Sequence, residues 1–241
     1  IFHEGGGFCG SVEDCQQRAN TSLGSTSSDR PTMALTGPYF SRDADLSPLL
    51  HNWTHVYVRY CDGAYYSGER SEPLNGSGLY YRGRWITEAV IADLKARHGL
   101  GDATDVVFGG CSAGAIRTFA HLDALRALVP AAARVAGFPD SGFYMDVDMF
   151  TSLKRYVVAP DGHAATSLLG AACRAAHPTQ LEKCLVASAA ARFVETPIFA
   201  WQSEHDIDQR GCEMNKTCAA EARCVNAYGA NMTAAVRSEL L

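Results

Sequence analysis

The chain has no apolar run long enough to cross a bilayer. It also lacks an initiator Met, a basic leader and an apolar leader core at its start, Ile1-Phe2-His3-Glu4, so residue 1 is not expected to be the start of the parent protein. Neither sign of charge dominates. The 21 Lys and Arg are scattered against 26 Asp and Glu, a net charge of -5, so nothing marks a nucleic-acid groove and there is no reason to expect a polyanion binder. No CxxC pair occurs, so a structural zinc site is not expected, and no metal or organic cofactor is called for. Histidine is missing after His205.

Cysteine, by contrast, is plentiful. Nine are present, grouped as Cys9 and Cys15, Cys173 and Cys184, and Cys212, Cys218 and Cys224, with Cys61 and Cys111 apart. Close pairs suit disulfides that close short loops in an oxidising compartment. Cys9–Cys15 and Cys173–Cys184 are the expected bonds. Five Asn-X-Ser/Thr sequons, at Asn20, Asn52, Asn75, Asn215 and Asn231, point the same way, to a secreted and glycosylated protein. A monomer is expected.

A composition with 47% hydrophobic and 20% charged residues over 241 positions is that of a globular chain, and the pattern fits one domain spanning residues 1–241. Strand patterns at 1–4, 56–60, 105–108, 134–138 and 197–201 alternate with helical ones at 82–98, 115–128, 164–191 with an interruption at Pro178, and from 219 onwards. Residues 11–45 read as a long polar loop. Such alternation predicts an α/β fold with a mainly parallel sheet covered by helices on both faces.

Gly110-Cys111-Ser112-Ala113-Gly114 fits G-x-S-x-G between a strand and a helix, the setting a nucleophile elbow requires. Ser112 is therefore the candidate nucleophile. The small neighbours Gly110, Ala113 and Gly114 permit the tight turn. Gly5-Gly6-Gly7, after the first strand, can offer uncrowded N–H groups to an oxyanion, and Ala113 the other. A carboxylate should follow the serine. Asp206 is the best candidate and Asp208 its near alternative, while Asp140 and Asp146 suit a pocket floor. His205 is a poor partner for Asp206, because adjacent residues of an extended loop point opposite ways.

Glu4-Gly5-Gly6-Gly7-Phe8-Cys9, Tyr60-Cys61-Asp62-Gly63-Ala64, Gly110-Cys111-Ser112-Ala113-Gly114 and Asp140-Ser141-Gly142-Phe143 occur in this order, followed by the segment ending at Asp206. They resemble the GGGWC, YCDGA, GCSAG and DSGFF blocks of pectin acetylesterases, with Phe8 where Trp is usual. The related Notum carboxylesterases differ more in the second block. The resemblance implies an α/β-hydrolase-like serine esterase with Ser112 as nucleophile and Asp206 as triad acid. Gly6, Gly7 and Ala113 are its oxyanion donors, and Asp62, Asp140 and Ser141 are pocket candidates. It further implies that the family's histidine lies beyond Leu241 and that an upstream cysteine pairs with Cys61, leaving Cys61 unpaired here and the chain short at both ends. The expected activity is removal of acetyl groups from a cell-wall polysaccharide. A Notum-like deacylase of lipidated protein and a non-catalytic binding protein on the same fold are the other expectations.

Overall fold

A computed structural model describes residues 1–74 and 76–241; the Asn75 sequon lies outside the described residues. Four parallel strands form the sheet in the order β2-β1-β3-β4. They are β1 (Phe2–His3), β2 (Tyr57–Val58), β3 (Asp105–Cys111) and β4 (Arg134–Asp140). β3 and β4 pair over seven residues, from Asp105 opposite Arg134 to Cys111 opposite Asp140. The segment 197–201 continues the sheet beyond β4. It is joined by bridges at Ile198 and Trp201 and by hydrogen bonds from Gly137 N to Pro197 O and from Trp201 N to Pro139 O.

Alternation along the strands decides what covers each face. Val106, Phe108 and Val135 meet Ile91 and Leu94 of α2 (Gly83–Arg97), and Leu122 and Leu125 of α3 (Ala113–Arg126). On the opposite face the covering helix is a single 3₁₀ turn, Pro38–Phe40, with its flanking loop. Tyr39 lies edge-on to Phe138 at 5.2 Å, and Phe40 edge-on to Phe2 at 5.4 Å.

Two stretches differ from the pattern in the sequence. The expected loop 11–45 opens with a helix, α1 (Val12–Ala19), whose N-cap Ser11 accepts from Asp14 N. Its only buried residue is Cys15, so the apolar periodicity that announces a helix is absent; the disulfide anchors it instead. The helical stretch 164–191, expected to be interrupted at Pro178, is shorter and more divided, as the helix Ala171–Ala176, the 3₁₀ turn Leu181–Leu185 and the helix Ala187–Ala190. Pro178 and the Cys173–Cys184 bond divide it.

Disulfides join Cys9 to Cys15 and Cys173 to Cys184, as the spacing predicts, and a third joins Cys218 to Cys224. Cys61, Cys111 and Cys212 are free among the described residues. Asn20, Asn52, Asn215 and Asn231 are exposed. The Asn215 side chain caps the helix Lys216–Ala219 by accepting from Cys218 N. Among the described residues no helix is long and apolar enough to cross a membrane.

Candidate active site

β3 ends at Cys111 and α3 begins at Ala113, so Ser112 is the single residue between strand and helix. Its backbone sits at φ 54°, ψ -113°, a conformation that costs energy for any residue but glycine. Two hydrogen bonds hold it there, Ser112 N to Asp140 O (3.0 Å) and Ile116 N to Ser112 O (2.9 Å). The flanking glycines are required by packing. A Cβ on Gly114 would lie 2.1 Å from His3 O, and one on Gly110 would lie 2.6 Å from the Gly114 carbonyl carbon. The elbow is thus pressed against β1 on one side and against itself on the other.

β1 leads straight into the glycine loop. A Cβ on Gly5 would stand 3.2 Å from Ser112 Cβ, so this loop borders the serine, where an oxyanion-binding loop must be. Gly6 and Gly7 have φ of 136° and 66°, where glycine is favoured. Ala113, fully buried, opens α3 directly after the serine.

The acid side is built differently. Asp206 is the N-cap of the helix Ile207–Glu213, and its Oδ1 accepts from Asp208 N and Gln209 N, both at 3.0 Å. These bonds orient the carboxylate and leave Oδ2 without a hydrogen-bond partner among the described residues. Asp206 acts on Cys111, next to the serine, whose thiol is pushed up to about 11 by burial first and then by Asp140, Asp206 and Asp208. It also acts on Tyr144, whose phenol faces the Ser112 hydroxyl and is raised mainly by burial. Asp206 and Ser112 therefore share neighbours, although one is on an exposed helix start and the other in the sheet.

Asp140 and Ser141 stand at the C-terminal end of β4, beside the elbow. The Asp140 carboxylate accepts from Ser141 Oγ (2.8 Å) and Tyr39 OH (3.2 Å). Asp62, a pocket candidate, is tied into its own turn. It is only 7% exposed, and its carboxylate accepts from the N–H groups of Ala64, Tyr66 and Gly68. It closes the turn 62–68 and borders a cavity of about 310 Å³. Asp146 is likewise engaged, with Thr151 and Lys183.

Three of the eight histidines have other neighbours. His3 is buried with Nδ1 on Gly109 O, and His205 lies against Gly229 and near Glu204. His163 is buried with its Nε2 3.1 Å from Cys9 O, and burial lowers it to about 4. Cys9, Cys15 and His163 come close enough to suggest a metal cluster, but the two sulfurs are bonded to each other and offer no thiolate.

Lys154 gave no signal in the sequence. It is fully buried, its Nζ has no hydrogen-bond partner, and it lies 3.0 Å from the Phe150 ring centroid and 5.0 Å from that of Phe8. Burial lowers it to about 7, with Cys212 and Glu213 acting in the other direction. Glu213, bonded to Tyr228 OH and Met145 N, is pushed up to about 7, again by burial first.

Residues 1–239 match the family described as Pectinacetylesterase. The chain belongs to this family. Pectin acetylesterase 5 of Arabidopsis thaliana is 32% identical over 98% of this chain and 60% of its own length. The palmitoleoyl-protein carboxylesterase NOTUM of Drosophila melanogaster is 28% identical over 84% of this chain and 32% of its own length. The solved structure of the Wnt deacylase Notum from Drosophila superposes with a TM-score of 0.86 over 98% of this chain and 72% of that one, at 24% identity, a likeness of fold. The chain spans 60 to 65% of the length of the first two pectin acetylesterases it matches.

Proposed function

We propose that this pectinacetylesterase-family protein is an extracellular serine esterase that removes acetyl groups from a cell-wall polysaccharide. The observation that carries the reading is Ser112 in its strained backbone at the β3–α3 turn, with Gly5 against it. In this reading the Ser112 hydroxyl attacks the acetyl carbonyl and the alcohol of the sugar leaves. Water then attacks the acetyl-serine, releasing acetate and restoring the hydroxyl. Gly6, Gly7 and Ala113 supply N–H groups to the oxyanion. Asp206 holds the base through its Oδ2. The reading assigns that base to a histidine outside residues 1–241, in the part of the family's length that this chain does not span.

The test uses the full-length polypeptide with acetylated pectin and with 4-nitrophenyl esters of acetate and octanoate. Acetate release, lost by a factor of ~10³ or more in Ser112→Ala, is the expected result. Preference for octanoate favours a Notum-like deacylase. A folded protein that turns over neither, yet retains polysaccharide, is a binding protein.

A further inference from the structure

The glycine loop does not fix its own direction. Gly6 and Gly7 have no side chains to anchor, and both sit in backbone regions that glycine leaves easily. Two side chains from distant parts of the chain hold it. Arg18 Nη1 donates to Gly6 O at 2.6 Å, and Tyr60 OH donates to Gly7 O at 2.8 Å. In a trans peptide the carbonyl and the next N–H point in opposite directions. Fixing the Gly6 carbonyl toward Arg18 therefore sends the Gly7 N–H the other way, and fixing the Gly7 carbonyl does the same for the Phe8 N–H. The open sides of the loop show which way that is. The Cβ direction of Gly5 meets Ser112, while that of Gly6 meets Leu23, just beyond α1. The serine and Arg18 thus lie on opposite sides of the loop.

Arg18 is itself tightly placed. It is on the last turn of α1, which the Cys9–Cys15 bond ties to the loop. Its guanidinium lies 4.8 Å over the Tyr60 ring, and its Nε donates to Leu23 O at 2.9 Å. Gly63, at φ 65°, leaves the room. A Cβ there would lie 2.7 Å from Cys9 Sγ and 3.2 Å from Arg18 Cδ. With Asp62 closing the following turn, the segment 60–64 forms the backing of the glycine loop.

We propose that Arg18 is the positioning residue of the oxyanion hole, aiming the Gly7 N–H at the acyl oxygen from behind, with Tyr60 setting the next peptide. The proposal rests on the esterase reading above. Losing one direct oxyanion donor costs about 10²–10³ in kcat, and a misdirected one should cost part of that.

The test compares wild type, Arg18→Ala, Arg18→Lys and Tyr60→Phe in the full-length polypeptide, with 4-nitrophenyl acetate. Active sites are counted by phosphonate labelling of Ser112, and folding is followed by Tm. The expected result for Arg18→Ala is a kcat per labelled site lower by ~10–100-fold, with KM within about twofold. Binding of a trifluoromethyl ketone should weaken by the same factor, because it imitates the tetrahedral oxyanion. Arg18 lines an open cavity of about 310 Å³, so millimolar guanidinium should restore part of the rate to Arg18→Ala and none to Tyr60→Phe. A kcat per labelled site equal to wild type in both Arg18 variants overturns the proposal. So does a loss carried by KM alone, or one that guanidinium does not touch. Inactive wild type sinks the esterase reading itself, a result separate from any of these.

Discussion

The two halves of the candidate site are held by different physics. The serine half is locked by backbone contact. Gly114 is pressed on β1 and the Gly5 position borders Ser112, so main-chain contacts fix the elbow. The acid half rests on a helix cap. Asp206 is oriented by two N–H groups of a seven-residue helix whose next residue, Ile207, is 74% exposed. Steric locking penalises any change of shape, whereas a cap responds mainly to the chemistry of one side chain. Lys154 stands at the seam, with its ammonium over Phe8 of the glycine loop and its charge felt by Cys212 and Glu213 of the acid helix.

Substitutions at three positions separate these cases, in descending order of stability change. Gly114→Ala should be the most damaging, because its Cβ would meet the main-chain oxygen of His3 and neither strand nor helix can yield cheaply. A loss of at least about 3 kcal/mol in urea unfolding is expected, with activity lost alongside. A variant as stable as wild type would show the elbow to be pliable.

Lys154→Met comes next and should stabilise. Lowering the ammonium from 10.5 to about 7 corresponds to a burial cost on the order of 5 kcal/mol. Contact with the Phe150 ring face offsets ~2 kcal/mol of that. Methionine of similar shape removes both, for a net gain of roughly 1–3 kcal/mol. The sign follows from linkage. The unfolded chain holds the proton up to 10.5 and the folded one only to about 7, so wild-type stability from this group rises with pH across that window. The advantage of methionine should therefore be full below pH 7 and shrink toward pH 10. Unfolding at pH 6 and pH 9.5 checks this. An equal gap at both would mean that Lys154 does not titrate there.

Asp206 should have the smallest effect on the fold. Asp206→Ala removes the cap and costs ~1 kcal/mol, whereas Asp206→Asn keeps it and costs close to nothing. Both should lose acetyl esterase activity, by about 10⁴ for Asn if the aspartate orients the base. Stability unchanged in Asn together with full activity would move the acid role to Asp208.

Part of this contrast could be read without coordinates. The elbow was legible because its needs are local: a β run, small residues at fixed spacing, then a helical run. The disulfides at 9–15 and 173–184 followed from short loops for the same reason. Helix α1 was not legible, because a bond to one cysteine and no apolar stripe holds it. The break at Pro178 was legible, but the extent of helix over 164–191 was not: its alanines favour a helix everywhere, and the disulfide helps to override them. The hydrogen bonds of Asp62 were not legible, because a carboxylate in a Gly-containing loop looks the same whether it meets a ligand or three amides of its own turn.

The sequence by itself determined which residues could serve: a serine between small neighbours, glycines with bare N–H groups, an aspartate after the last sheet segment, and cysteines close enough to pair. Each depends on neighbours within a few positions, where covalent spacing limits the choices. Only the tertiary structure decided that Arg18 would reach Gly6, that Tyr60 would hold Gly7, and that Lys154 would be sealed among Phe8, Tyr144 and Phe150. Lys154 and Phe8 are far apart along the chain. No spacing rule specifies such a contact, because it forms only when packing of the whole sheet and its covering segments brings the two together.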